Sequence, residues 1–324
     1  MPEPLWIYLM ALLYFTRIST CSTIADVMAN ASHDCLTRML HGRWSGQILL
    51  DSALRTLFTI AGGYLIVDDT VVAKPYARLL GEAAWVWSSK DKKVVFGVSL
   101  VLLVWTDGEV RLPVGYRVWH KGGPSKVDLA LELLSHARNR LKCKPQFVLF
   151  DSWYPATRLL KRLKDYGGYF VGQLKKNRTF EGVALPAYRP PPYWHAVGYL
   201  SSGLKVLVVR HRRKYDVTNR LLLTAQEVRA QYRKRQEVEE VIRVLKSQLS
   251  LEACQVGYRR RGVAPGQPPP RAQEHHIALC LVAYLVVERE RLDHGVSWRK
   301  FKRRLILKGS QVALPALERV RKAA

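Results

Sequence analysis

The pattern of apolar and polar positions changes character several times along the chain. Residues 1–60 hold few glycines and prolines and carry apolar residues at mixed three- and four-residue spacing, a helical signature. Ser32 and Asp34 stand where a helix through Leu36, Met39 and Leu40 would be capped. From Gly62 the period shortens. Tyr64–Val72 is an apolar strand interrupted by Asp68 and Asp69. Lys93–Trp105 and Val110–His120 are β-rich runs joined through Thr106-Asp107-Gly108-Glu109, an Asp-Gly hairpin signal. Ser125–Leu141 is amphipathic, with Val127, Leu131, Leu134 and Leu141 on one stripe and Ser125 as its cap. Gln146–Asp151 reads as a buried strand, Thr157–Tyr166 as a helix and Tyr169–Leu174 as another strand. The order β-β-β-α-β-α-β predicts an α/β fold, a mixed sheet with helices on its faces.

Residues 175–224 break the alternation. They hold Pro190-Pro191-Pro192 and apolar β-like runs at Val197–Leu200, Leu204–Val209 and Leu221–Leu223, so they read as a β-rich insertion. Thr224–Leu249 contains no Gly or Pro and predicts one long helix. Gly262–Pro270 is a flexible loop, and two helical stretches close the chain. The expected organisation is a helical N-terminal region over 1–60 (a candidate DNA-binding module, though a packing element fits its pattern better), a core over 61–174, the insertion over 175–224, a second core part over 225–295 and a basic tail over 296–324.

Composition narrows the function classes. Among 324 residues, 52 Lys and Arg face 26 Asp and Glu, a net charge of +26. The excess is uneven: residues 201–324 carry 27 basic and 11 acidic side chains, with basic runs at Arg210–Lys214, Arg233–Arg235, Arg259–Arg261 and Lys302–Arg304. Several such runs in one segment suit a surface that tracks phosphates. The runs Leu5–Phe15, Val94–Trp105 and Ile277–Val287 fall short of the ~20 residues a spanning helix needs. No secretory leader pattern opens the chain, and five scattered cysteines form no C-x-x-C pair, so a reducing cytoplasm is the expected setting.

The candidate chemistry lies in three acids. Asp68 interrupts one strand and Asp151 ends another, positions where an uncompensated carboxylate is costly. On the 224–249 helix, with Glu239 at zero and 100° per residue, Tyr232, Arg235 and Lys246 fall at about 20°, −40° and −20°. Val238, Ile242 and Leu249 flank this stripe and would seat it at the core boundary, leaving Glu237 and Glu240 towards solvent.

The spacing Tyr232-x2-Arg235-x3-Glu239-x6-Lys246 resembles the Y-(2)-R-(3)-E-(6)-K signature of a group of bacterial insertion-sequence DDE transposases. IVDDTVVAKP resembles that group's first acidic motif and selects Asp68 over Asp69, while FVLFDSWY resembles its second, at Asp151. Over about residues 60–260 the resemblance implies a ribonuclease-H-like catalytic domain. It implies that Asp68, Asp151 and Glu239 hold two Mg²⁺ ions, with Mn²⁺ as a substitute. Tyr232, Arg235 and Lys246 would contact double-stranded DNA. It further implies cleavage at transposon ends, strand transfer by a 3′-hydroxyl, a homodimer that pairs two ends, and a nucleoid-associated bacterial setting. Side-chain chemistry agrees: carboxylate oxygens suit Mg²⁺, and a guanidinium suits phosphate. Two rivals share parts of this reading, a nuclease of the same fold without strand transfer and a non-catalytic DNA-binding relic. Lys74 and Lys90 read as solvated lysines able to reach DNA. Trp194 reads as a core residue more readily than as a wedge against a flipped base. Adjacent His275 and His276 would point apart on a helix rather than share a metal, and Trp298–Arg304 would lie on DNA or another subunit.

Overall fold

The computed structural model describes all residues except 16–19, 29, 76–79, 190–191 and 258–270. Part of the proline cluster, the Arg259–Arg261 run and the Gly262–Pro270 loop lie outside the described residues.

Four helices open the chain: α1 (Glu3–Tyr14), α2 (Cys21–Val27), α3 (His33–Leu40) and α4 (Gly46–Leu57). Ser32 and Ser45 cap α3 and α4 by accepting from Cys35 N–H and Ile48 N–H. Strands β1 (Tyr64–Ala73), β2 (Ala84–Ser88), β3 (Lys93–Thr106) and β4 (Arg111–Trp119) follow. The β3–β4 turn contains Gly108 at φ +108, a conformation that favours glycine. Next come α5 (Lys126–Asn139), β5 (Phe147–Phe150), α6 (Thr157–Asp165) and β6 (Phe170–Leu174). A reciprocal capping box between Ser125 and Asp128 starts α5. The short strand β2, placed between β1 and β3, is an addition to the sequence-predicted order.

At the centre of the sheet β1 runs parallel to β5, and β5 parallel to β6. On its other side β1 pairs antiparallel with the long β3, whose Ser99–Thr106 half pairs with β4 and whose Lys93–Gly97 half pairs with β2. The insertion adds a small hairpin, β7 (Thr179–Phe180) with β8 (Val183–Ala184), then α7 (Leu185–Tyr188), β9 (Tyr193–Tyr199), β10 (Lys205–His211) and β11 (Lys214–Thr218). β11 pairs antiparallel with β6, β10 with β11 and β9 with β10, so the insertion extends the central sheet. The third insertion strand is Lys214–Thr218, not Leu221–Leu223. The apolar run lies in the loop before the next helix, with Leu222 96% exposed, whereas the mixed KYDVT segment is ordered by pairing on both sides. Trp194 is 9% exposed and packs against Phe180, Tyr188 and Tyr215, which makes it a core residue of the insertion.

The stretch read as one long helix is two: α8 (Ala225–Arg233) and α9 (Gln236–Gln248). Between them the backbone bonds span three residues rather than four, Lys234 N–H to Gln231 C=O and Arg235 N–H to Tyr232 C=O. No Gly or Pro marks the break. Lys234 and Arg235 both reach β1, the first to Tyr64 and the second to Asp68. Adjacent residues of an unbroken helix diverge by ~100° and could not both do so. A single 100° periodicity therefore does not run from Tyr232 to Lys246.

α10 (Ala272–Asp293) is buried on nearly every side, as expected of a helix with little polar face. It lies between β4 and α9 on one side and α1, α3, α4, α11 (Trp298–Lys308) and α12 (Pro315–Ala323) on the other. Residues 296–324 are thus mainly helical: Phe301, Lys302, Leu305, Leu317 and Val320 are buried, and Trp298 stacks on Tyr284. Lys302 Nζ donates to the carbonyls of Leu12, Leu13 and Phe15 at the end of α1. His275 bonds the Leu40 and Trp44 carbonyls, while His276 bonds Tyr8 and the Ser250 carbonyl. Both imidazoles therefore tie α10 to its neighbours.

Candidate active site

Two parallel strands set the first two acids side by side. In the β1–β5 register Val67 faces Phe150, so Asp68 and Asp151 are the next positions along. Asp68 is 14% exposed. Burial pushes its carboxyl up to about 7; Arg235 opposes that rise and Asp151 adds to it. Burial also raises Asp151, whose Oδ1 accepts from Trp153 N–H at 2.8 Å.

Alternation along β1 separates Asp69 from its neighbour. Asp69 is neutralised by Lys126 Nζ at 2.6 Å, from the first residue of α5, and accepts from the Tyr154 hydroxyl at 3.1 Å. Asp68 has a different partner: Arg235 Nη1 lies 2.6 Å from its Oδ2, while Arg235 Nη2 donates to Glu239 Oε1 at 2.7 Å. One guanidinium thus joins the β1 acid to the first turn of α9. Glu239 remains 58% exposed. Tyr232 closes the cluster, with its ring centroid 6.0 Å from the Arg235 guanidinium carbon; burial pushes its phenol up to about 12.

Asp68, Arg235, Glu239 and Tyr232 therefore meet, with Asp151 beside Asp68. Lys246 is elsewhere: its Nζ donates to the Val71 carbonyl at 2.6 Å and pairs with Glu252 at 3.0 Å, which seats α9 along β1. Lys74 is not solvated. It is fully buried and donates to the carbonyls of Glu252 and Cys254 at 3.0 and 2.6 Å. Glu237, expected towards solvent, is 25% exposed and pairs with Arg111 on β4. Sequence reasoning missed Lys126, Tyr154, Lys234 and Arg111 as supports of the site, since none stands at a motif spacing.

Among the described residues no three His, Cys, Asp or Glu side chains converge closely enough to hold one metal ion. The donor chemistry nevertheless fits a hard divalent cation. The three acids offer only carboxylate oxygens, the hard donors such a cation prefers.

A family model described as "Transposase DDE domain" matches residues 62–262. The fold is similar to that of a piggyBac transposase, solved by cryo-EM as a synaptic complex with hairpin DNA. The TM-score is 0.55 at 12% identity, over 98% of this chain and 71% of that one. No curated protein matches the sequence. Among the described residues no helix is long and apolar enough to cross a membrane.

Proposed function

The chain belongs to the transposase DDE domain family, and on that premise we propose that it cleaves DNA at transposon ends and joins the freed 3′-hydroxyl to target DNA, as a member of the Y-R-E-K group of bacterial insertion sequences. What supports the site assignment is the Arg235 fork, which draws the Glu239 turn of α9 onto the strand pair that carries Asp68 and Asp151. Asp68, Asp151 and Glu239 would hold divalent metal, which when bound activates an attacking water or 3′-hydroxyl and offsets charge on the leaving oxygen.

The protein's own residues do the rest. Lys126 and Tyr154 fix Asp69 and thereby the strand on which Asp68 rides. Lys246 and Lys74 hold α9 and the segment after it against β1. Arg235 is the group suited to a phosphate: its planar fork takes two oxygens at once, and in this structure it holds two carboxylates in that manner. A scissile phosphate entering the site would compete with Asp68 and Glu239 for Arg235. Tyr232, its phenol protonated to about 12, can donate a hydrogen bond beside the same phosphate.

DNA as partner is supported by the net charge of +26 and by the fold relative solved with hairpin DNA. A homodimer that pairs two ends belongs to the same reading.

The deciding experiment incubates protein with labelled end DNA, target DNA and Mg²⁺ and resolves the products. Nicked ends plus joined strands are expected. Nicks without joining would leave a nuclease of this fold, and binding without nicks a non-catalytic relic. Glu239→Gln, Asp68→Asn and Asp151→Asn should each lower cleavage by at least about 10³-fold while binding persists. Full cleavage by Glu239→Gln would remove the site assignment.

A further inference from the structure

The β2–β3 hairpin carries an apolar face that the rest of the described chain leaves uncovered. Trp85 faces Phe96 and Trp87 faces Val94 in the antiparallel register, so the four form two cross-strand pairs on one side. Trp85 is 72% exposed, Trp87 62% and Val94 54%. The Trp85 and Phe96 rings lie 5.6 Å apart. β1 ends opposite Gly97, and beyond that point β2 and β3 continue as a two-stranded ribbon. Such a ribbon is marginal by itself, and most of the surface of both tryptophans faces water rather than the described chain.

The ladder also has a defined relation to the acids. Asp68 faces Leu102 across β1 and β3. Counting back by twos from Leu102 along β3 reaches Phe96 and Val94, so the tryptophan ladder shares the sheet face of Asp68, on which Arg235 and α9 lie. At ~3.4 Å per residue, Phe96 and Val94 stand about 20 and 27 Å along the strand from the position opposite Asp68. The tip carries Lys90, Lys92 and Lys93, all exposed. Its one acid, Asp91, accepts from the Ser88 hydroxyl at 2.7 Å.

We propose that this ribbon is a second nucleic-acid contact, in which Trp85 and Trp87 stack on unpaired bases while Lys90, Lys92 and Lys93 hold the adjoining phosphates. Exposed aromatic rings beside free ammonium groups are the combination that binds single strands without reading their sequence. The charge at the tip selects DNA over a second copy of this chain, whose own net charge is +26. The inference rests on DNA being the substrate of the site, and it adds that part of that DNA is unpaired where it passes the ribbon.

The test measures binding of the full chain to two labelled probes, a fully paired duplex and the same duplex with an unpaired flap carrying 2-aminopurine. Wild type should prefer the flap, and the probe base should be quenched on binding. Trp85→Ala/Trp87→Ala should lose that preference by about tenfold or more and lose the quench, whereas Trp85→Phe/Trp87→Phe should keep most of both. Lys90→Gln/Lys92→Gln/Lys93→Gln should weaken both probes alike and flatten the salt dependence. An unchanged preference and quench in the double alanine variant, with duplex binding intact, overturns the ribbon and leaves the catalytic reading standing. Loss of self-association with no change on either probe assigns the face to a second copy. Failure of the wild type to bind either probe overturns both.

Discussion

At Asp68 burial and the neighbouring Asp151 act against ionisation, while one guanidinium acts for it. Raised from 3.8 to about 7, the folded carboxyl binds a proton more tightly than the unfolded one. Its contribution to stability is therefore present below about pH 4 and is lost as pH rises towards 7. Asp68→Asn should accordingly be more stable than wild type at pH 8, by a few kcal/mol in order of magnitude, and no more stable at pH 4. Denaturant unfolding at both pH values measures this, and a difference independent of pH would show that Arg235 already compensates the charge. Cleavage should rise as pH passes about 7 at low Mg²⁺, with the midpoint moving to lower pH as Mg²⁺ increases, since cation and proton compete for one carboxylate. Arg235→Gln removes the cation that the acids now share. Mn²⁺ affinity of the DNA-free protein should increase about tenfold by titration calorimetry, while cleavage should fall as the proposed phosphate contact is removed. At this scale the sequence exposed Asp68, Asp151 and Arg235 by strand ends and spacing. It could not expose Lys74: a lysine after a strand reads as solvated until the chain 180 residues later supplies the carbonyls that bury it.

Among the elements, α8 and α9 show where periodicity stops informing. An uninterrupted run of helix formers reads as one helix because local propensity holds no trace of β1, to which Lys234 and Arg235 are drawn. The strands of the core other than β2 were legible from their apolar runs and the Asp-Gly turn, whereas β11 was not, since KYDVT owes its conformation to pairing with β6 and β10. How α9 is fastened makes a prediction here. Lys74→Met leaves the Glu252 carbonyl without its lysine donor and the Cys254 carbonyl with only the Gln273 amide, and should cost about 2 kcal/mol in denaturant unfolding. The same change should lower cleavage, because the segment that follows the Glu239 helix is no longer fixed to β1. Unaltered unfolding would mean that water replaces the ammonium at no cost.

On the scale of the whole molecule, both chain ends serve the same buried helix. α10 was readable as an apolar helix, but nothing local indicated that α1 and α4 would enclose it from the far end of the sequence, or that Lys302 of α11 would tie down the end of α1, 290 residues away. Leu281→Ala at its fully buried centre should cost ~2–5 kcal/mol. Lys302→Met should release the end of α1, whose three carbonyls lose their common donor; hydrogen exchange in α1 would report it. The insertion has a different bond to the centre. Because β6 meets β11 edge to edge, with Leu174 against Tyr215 and Val171 against Thr218, its three long strands and the two acid-bearing strands belong to one continuous lattice of backbone pairs. A chimaera that borrowed this module from another protein would have to reproduce that seam residue for residue, because a slip of one place would turn every borrowed side chain to the wrong side. Only the hairpin tips beyond the seam are open to free exchange.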